Sequence, residues 1–128
     1  MLTEVVDRLC SLTRADGAAI ALCDPRGVVC RASAGNAPDV GSRLQADSGL
    51  TRECFESGQV VFCEDAEKDP RVRLAIVKSL RLRSAVVVPI EAEGPLVGVV
   101  EVLSSRPSAF DQTHVAALNV LLTLLRRS

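Results

Sequence analysis

Two valine-rich runs, separated by a short polar break, most constrain how this chain folds. The runs cover residues 84–90 and 96–103 and are rich in β-branched side chains, which favour strands. Residues 91–95 between them carry two acids, a glycine and a proline, which is the composition of a turn. The pattern predicts a β-hairpin with both faces covered, because neither run leaves room for a polar face.

One charged residue interrupts the second valine-rich run. Glu101 stands in its middle, where a buried carboxylate is costly unless it is paired or hydrated. A carboxylate in the middle of a sheet usually faces a cavity or a basic partner. Glu101 is therefore the first candidate for a functional residue.

The bulk properties of the chain fit one globular domain. Its 128 residues, of which 48% are hydrophobic and 24% charged, suffice for one core. The net charge of −1 gives no argument for nucleic acid or a membrane surface. No run approaches the ~20 apolar residues that span a bilayer, and the acidic start differs from a signal peptide. We expect one domain, residues 1–128, in the cytoplasm, with neither a nucleic-acid nor a membrane partner.

Hydrophobic spacing and turn residues predict the remaining elements. The predicted elements before the valine-rich hairpin are a helix to about residue 14, strands over 17–23 and 28–34, a helix ending near 57, an edge strand over 60–63 and a helix over 74–82. We expect Asp47 or Ser48 to cap the second of these helices. In the third helix, we expect Leu74, Val77 and Leu82 to point inward.

Small residues gather on one predicted face of the first hairpin. If Asp24 and Gly27 flank its turn, Ala21 lies opposite Cys30. The residues predicted to share this face are Ala19, Ala21, Cys23, Cys30 and Ala32. They leave space above the sheet, which either a closely packed helix or a ligand can fill.

The last predicted helix is unusually apolar. Residues 108–111 match the Ser-x-x-acid capping box that opens a helix. From 115 to 125 only Asn119 and Thr123 are polar, which is more apolar than one buried face requires. We therefore expect a homodimer with isologous packing of the two terminal helices. Its predicted contact residues are Leu118, Leu121, Leu124, Val5 and Leu9.

The cysteines and the single histidine indicate neither a metal site nor a cofactor. No two of the five cysteines, Cys10, Cys23, Cys30, Cys54 and Cys63, have C-x-x-C spacing. We expect free thiols, mostly buried, in a reducing compartment, with a thiol-dependent function as the alternative. His114 has no partner ligand nearby in the sequence, so we expect a surface histidine.

Several stretches, taken in order, resemble a GAF domain. ADGAAIALCD at 15–24 resembles the first strand of that family, and residues 47–71 resemble its segment ending in D-P-R. LRLRSAVVVPI and GPLVGVVEVLS resemble its R-S-x-x-x-V-P-I and G-V-x-G-V-L-E-x strands, and AFDQTHVAALNVL resembles its closing helix. The order and spacing of these stretches cover nearly the whole chain.

The resemblance implies an α+β fold with a central antiparallel sheet of five or six strands. Terminal helices would cover one face, and loops and helices would form a roof over a pocket on the other. In nucleotide-binding members, the acid that matches Glu101 looks into the pocket. The ligand-binding candidates are Glu101, Ala21, Cys23 and Val99 on the floor and Thr51, Arg73, Arg83 and Ser84 at the rim. For Arg71 and Arg73 the alternative is a solvated, charged loop with exposed ion pairs.

No ligand-specific GAF subfamily matches. The N-K-F-D-E signature of cyclic-nucleotide binders is met mainly at Phe110, and no cysteine precedes a histidine as bilin attachment prefers. The free methionine sulfoxide reductases share the acid at Glu101, but their catalytic cysteines do not align with Cys54 or Cys63. We expect a sensor of a small polar metabolite that is coupled to dimerisation. The alternatives are a ligand-free interaction module and, third, a thiol-dependent reductase.

Overall fold

The structure, a computed structural model, describes the backbone of residues 2–44 and 49–127 and the side chains of 2–44 and 49–123. Asp47 and Ser48, the predicted helix caps, lie outside the described residues. The elements are α1 (Leu2–Thr13), β1 (Gly17–Asp24), β2 (Gly27–Gly35), α2 (Gly49–Ser57), β3 (Val61–Cys63), α3 (Leu74–Leu80), β4 (Ser84–Glu91), β5 (Leu96–Ser104) and α4 (Gln112–Arg127). None of the helices in this part of the chain is long and apolar enough to cross a bilayer.

The strands form one antiparallel sheet in the order β2-β1-β5-β4-β3. The valine-rich hairpin is β4 and β5, as predicted, and β5 occupies the centre of the sheet. Glu101 on β5 pairs with Val87 of β4 on one side and with Ala19 of β1 on the other. The predicted α+β fold with an antiparallel sheet of five or six strands is thus confirmed, and the sheet of the described residues has five.

Strand alternation sorts the core into two layers. Val86, Val100 and Val102 face α1 and α4, and this side is called the helix face. Val87 and Val99 face the opposite side, called the roof face, which is covered by residues 36–44, 49–57 and 64–83, called the roof. Both faces of the central hairpin are therefore buried, as the continuous apolar runs predict.

A β-bulge changes one residue on the predicted small-residue face. Ile20 pairs with Ala32, whereas the next residue, Ala21, pairs with Cys30, so Arg31 is extra on β2. An extra residue inverts the alternation beyond it. Ala32 consequently lies on the helix face with Ile20, and its predicted place beside Ala21 is wrong.

The third helix is shorter than predicted, and one of its residues that we expect to point inward is exposed to solvent. Val77 and Leu82 are buried as expected, but Leu74 is 64% exposed, so its inward orientation is wrong. Arg81 has a φ of +53° and ends α3 in the left-handed conformation. Leu82 therefore reaches the core after the helix has ended.

Two residues predicted for a dimer interface face the sheet instead. Leu9 of α1 and Leu118 of α4 have no exposed surface and pack on the helix face. Val5 and Leu121 are half-buried, and the side chain of Leu124 lies outside the described ones. Leu9 and Leu118 are thus part of the protomer core, which removes them from the predicted contact surface.

The terminal helix begins at a different cap from the one predicted. Asp111 Oδ1 accepts the backbone N–H groups of Thr113 at 2.9 Å and His114 at 3.4 Å. The N–H of Asp111 donates to Nδ1 of His114 at 3.1 Å. Ser108 has a φ of +52° and precedes the helix, so its predicted capping role is wrong. Asp111 is the cap, and His114 takes the place that Glu or Gln usually has in a capping box.

This cap can be tested by two alanine substitutions. Asp111→Ala removes the oxygen that accepts the first free N–H groups of α4, so we expect a melting temperature a few degrees below that of the wild type. Ser108→Ala removes a hydroxyl that does not cap the helix and should have a smaller effect. Thermal unfolding followed by circular dichroism measures both. A larger loss in Ser108→Ala would reverse the assignment.

Candidate functional site

The central strand presents Glu101 to the roof, where α2 meets it. Glu101 is 5% exposed, and Thr51 in the first turn of α2 is fully buried. The hydroxyl of Thr51 donates to Oε1 of Glu101 at 2.5 Å. This contact ties the first turn of a roof helix to the middle of the sheet and gives one carboxylate oxygen a buried donor.

A small cavity lies above Glu101. Its volume is about 20 Å³, somewhat more than the ~10–15 Å³ that one water molecule requires. Apart from Glu101, the residues that line it are Pro38, Leu44, Leu50, Ile76, Leu80, Leu82, Ala85 and Leu103. The carboxyl group is thus the polar feature of an otherwise apolar chamber.

An open groove lies outside this cavity. It has a volume of about 440 Å³ and runs between residues 37–42 and α3. Pro38, Ile76 and Leu80 line both the groove and the cavity. We call these three side chains the wall. The polar residues of the groove are Asp39, Ser42 and Ser79, so the groove is more polar than the cavity on the other side of the wall.

The two candidate arginines at the rim lie outside the cavity. Arg83 contacts Asp65 through Nε and Nη2, both at 3.2 Å, and approaches Glu67 at 3.5 Å. Arg73 precedes α3 and is exposed. Neither residue lines the cavity. The structure therefore places neither side chain in the cavity lining, and the guanidinium of Arg83 is ion-paired with Asp65 and Glu67.

Ser84 lies on the wrong side of the sheet for the predicted site. It is buried, its hydroxyl donates to the carbonyl of Arg106 at 2.5 Å, and its oxygen accepts the N–H of Ala109 at 3.2 Å. Alternation along β4 places Ser84 on the same side as Val86, on the helix face. Its contacts fasten the segment before α4 to the sheet.

The remaining floor candidates differ in their positions. Ala21 and Val99 pair across β1 and β5 on the roof face and are fully buried, but the cavity lies elsewhere on that face. Cys23 is half-buried near the end of the first hairpin, where its thiol lies 3.6 Å from the carbonyl of Leu96. The structure therefore brings Glu101 and Thr51 together and leaves the other candidates apart from them.

The wall was not identified from the sequence. Ile76 and Leu80 are four residues apart, which places them on one side of a helix, and that was the available signal. Pro38 lies in a segment that the sequence predicts only as a loop. Pro38 lines the same two spaces as Ile76 and Leu80, which lie far from it in sequence, so no local pattern indicates the wall.

The thiols near the site are in their protonated form. Burial is the main cause that raises the pKa of Cys54 and of Cys63 to about 12. Burial and then the charge of Glu101 raise the pKa of Cys30. Cys10 and Cys23 are also free, so the prediction of unpaired thiols is confirmed. A thiol with a raised pKa is a poor nucleophile at neutral pH.

No group of three or more His, Cys, Asp or Glu side chains within residues 2–44 and 49–123 is placed to hold a metal ion. The Glu101 carboxyl group lines the cavity, and the Thr51 hydroxyl reaches the site through its hydrogen bond to that carboxyl group.

An antiparallel sheet with terminal helices on one face and a roofed cavity on the other defines a layered α+β domain. The model of the GAF domain family matches residues 1–127, and this chain belongs to that family. GAF domains are commonly signalling modules. Among curated proteins, no sequence matches this chain.

Solved structures share this fold at low sequence identity. A type II free methionine-R-sulfoxide reductase from Thermoplasma acidophilum has a TM-score of 0.82 and 19% identity, covering 98% of this chain and 87% of that one. The GAF domain of an Acinetobacter phosphoenolpyruvate-protein phosphotransferase has a TM-score of 0.77 and 24% identity, covering 98% and 77%. The GAF domain of a sensor histidine kinase from Bacillus halodurans has a TM-score of 0.76 and 16% identity, covering 98% and 91%. These similarities show the fold.

The contact between Thr51 and Glu101 can be tested by stability measurements. Thr51→Val keeps the side-chain shape but removes the buried donor, so we expect a loss of about 1–3 kcal/mol in the free energy of unfolding. Thr123→Val is the matched control, because its exposed hydroxyl donates to the carbonyl of Asn119; its effect should stay within about 0.5 kcal/mol. Chemical denaturation measures both, and equal effects would contradict the role of the contact.

Proposed function

We propose that this GAF domain is a sensor that binds a small polar metabolite above Glu101 and couples binding to dimerisation through its terminal helices. The observation that carries the proposal is a buried carboxyl group at the base of a cavity that three side chains separate from an open groove. The Thr51 hydroxyl belongs to the same site.

The energetic cost of Glu101 supports a binding role. Apolar residues of similar volume at a buried ionic position are often neutral or stabilising, and the strand around Glu101 is otherwise apolar. An acid at this position is therefore a poor choice for stability alone. A carboxylate accepts hydrogen bonds, so the proposed ligand presents N–H or O–H donors to it. The aliphatic lining suits an aliphatic remainder, and the chain contains neither Trp nor Tyr for stacking.

Binding in this site requires the wall to move. A cavity of about 20 Å³ is too small for a metabolite, whereas the groove beside it is about 440 Å³. Two of the three wall residues, Ile76 and Leu80, belong to α3, where they are half-buried against the core and Val77 is buried. A helix of seven residues with one buried side chain is the kind of element that opens locally. Its displacement would join the two spaces and expose Glu101 to the groove.

Native mass spectrometry of the purified protein tests the ligand. We expect a small molecule to remain bound to the wild type and to be lost from Glu101→Gln, whose melting temperature should be unchanged or raised because a desolvated carboxylate is removed. Thr123→Val serves as a binding-competent control. An empty wild type, together with a loss on the order of 3 kcal/mol in Glu101→Gln, would contradict the sensor and support a closed core.

The wall can be tested without knowing the ligand. Leu80→Ala should join groove and cavity, and the enlarged apolar space should bind xenon. Leu74→Ala is the matched control, because it makes the same chemical change on the same helix at a side chain that is 64% exposed. Xenon-129 NMR should show stronger binding in Leu80→Ala than in the wild type or in Leu74→Ala. Equal spectra in all three would contradict the position of the wall.

A ligand-free interaction module is the second candidate function, and the small volume of the cavity favours it. If the roof is permanently closed, the apolar lining is ordinary core and the domain acts through its surface alone. The same native mass spectrometry separates the two functions. A thiol-dependent reductase is supported by shared fold alone, and the raised pKa values of the thiols near Glu101 argue against it.

The proposed dimer uses the outer sides of α1 and α4. Leu12 is 54% exposed and Val120 is 63% exposed. A groove of about 390 Å³ between the helices is lined by Arg8, Ser11, Leu12 and Leu121. These residues take the place of Leu9 and Leu118 in the interface that the sequence predicts.

Sedimentation velocity at micromolar concentration tests the dimer. We expect the wild type to sediment as a dimer and Val120→Glu to shift toward monomer, because a charge would have to be buried in the interface. Val40→Glu is the matched control, since Val40 is also 63% exposed but lies in the roof. A wild type that remains monomeric at high concentration would contradict the proposal.

A further inference from the structure

The two edge strands of the sheet are covered in different ways. Along β2, the chain folds back on itself. The N–H of Cys30 donates to the carbonyl of Ser42 at 2.9 Å, and the N–H of Gly41 donates to the carbonyl of Cys30 at 2.8 Å. Val29 forms an antiparallel bridge with Arg43. This edge is therefore closed by backbone. At the opposite edge, β3 has β4 as its strand neighbour.

The side chain of Arg71 contacts the outer side of β3. Its Nη2 donates to the carbonyl of Phe62, the middle residue of β3, at 3.0 Å. Asp69 holds the same guanidinium through Nε at 2.9 Å and Nη2 at 2.6 Å, and Glu53 of α2 holds Nη1 at 2.9 Å. In an antiparallel ladder, directly opposite residues alternate between pairs that exchange both backbone hydrogen bonds and pairs that exchange none, so the N–H and C=O of one residue point to the same side. Phe62 and Val86 form a pair of the second kind, because the carbonyl of Phe62 points away from β4, and its N–H therefore also points outward. Arg71 thus occupies the point where another strand would pair.

The rest of this edge is also restricted. β3 covers β4 only from Ala85 to Val87. Pro89 lies further along β4 and has no N–H to donate. A short strand, a proline and a charged side chain are the usual means by which proteins prevent edge-to-edge pairing. Of these three, the side chain of Arg71 can move without a change in the backbone.

We propose that Arg71 is a removable guard of the β3 edge, and that a second copy of this chain adds its own β3 there when the guanidinium is withdrawn. A second β3 matches the exposed edge in length. A two-fold axis through Phe62 would place the two Phe62 residues opposite each other as an aromatic cross-strand pair. In each copy, the carbonyl of Phe62 would then accept a hydrogen bond from the Phe62 N–H of the other copy, in place of the bond from Arg71. This contact surface is separate from the terminal helices.

The test compares two arginines that resemble each other. Arg71 and Arg83 have side chains that are 31% and 34% exposed, and each contacts two carboxylates. Arg71 also contacts the carbonyl of a strand, whereas the bonds described for the Arg83 guanidinium go to Asp65 and Glu67. Sedimentation velocity over a concentration series should show that Arg71→Met gains one association step beyond the wild type. Arg83→Met should sediment as the wild type does.

A second substitution separates edge pairing from loss of folding. Phe62→Pro removes the outward N–H of β3, so in the Arg71→Met background it should abolish the additional association step. If association persists in this double variant, it arises from a loosened roof and the proposal is wrong. Arg71→Lys keeps the charge but cannot reach all three partners, so it should associate more weakly than Arg71→Met. If both Arg71 variants are folded by circular dichroism and retain the wild-type mass, the proposal is also wrong.

Discussion

The burial of β4 and β5 on both faces is the constraint on which the rest of the structure depends. Successive valines of these strands face opposite sides of the sheet, as Val86 and Val87 do. One covering layer would therefore leave a continuous apolar surface exposed on the other side. Terminal helices supply one layer, and the long connection between the hairpins supplies the other. The second layer is the less regular of the two, since it consists of loops and short helices. Glu101 lies under this layer, and a donor from α2 meets it there.

Much of the fold could be predicted because its signals are local. Turn residues and strand alternation predict both hairpins, and the pairing of Ala21 with Cys30 follows from the turn at 24–27. Ala32 was assigned to the wrong face because Arg31 forms a bulge, and no residue type at this position indicates a bulge. The cap of α4 was misplaced because Ser108 and Asp111 both suit a capping position, and the left-handed backbone of Ser108 decides between them.

The site was less predictable than the fold, for reasons that particular residues illustrate. Glu101 could be placed because its strand register follows from alternation alone. Ser84 could have been excluded by the same rule: it lies three residues from Val87, the partner of Glu101, and an odd separation means opposite faces. The arginines could not be placed, because a guanidinium binds whichever carboxylates the loops bring near. For Arg83 these belong to Asp65 and Glu67.

The shallow packing of α3, in which Val77 is buried and Ile76 and Leu80 are half-buried, has a consequence for how the proposed sensor would respond to ligand concentration. A ligand that binds only after the wall has moved meets a competent protein in the open fraction alone, and its apparent affinity falls by that fraction. Selectivity would then reside in Glu101 and Thr51, while the concentration threshold would reside in the stability of a seven-residue helix. Substitutions on the exposed side of α3 could therefore change how much ligand is needed without changing which ligand is bound.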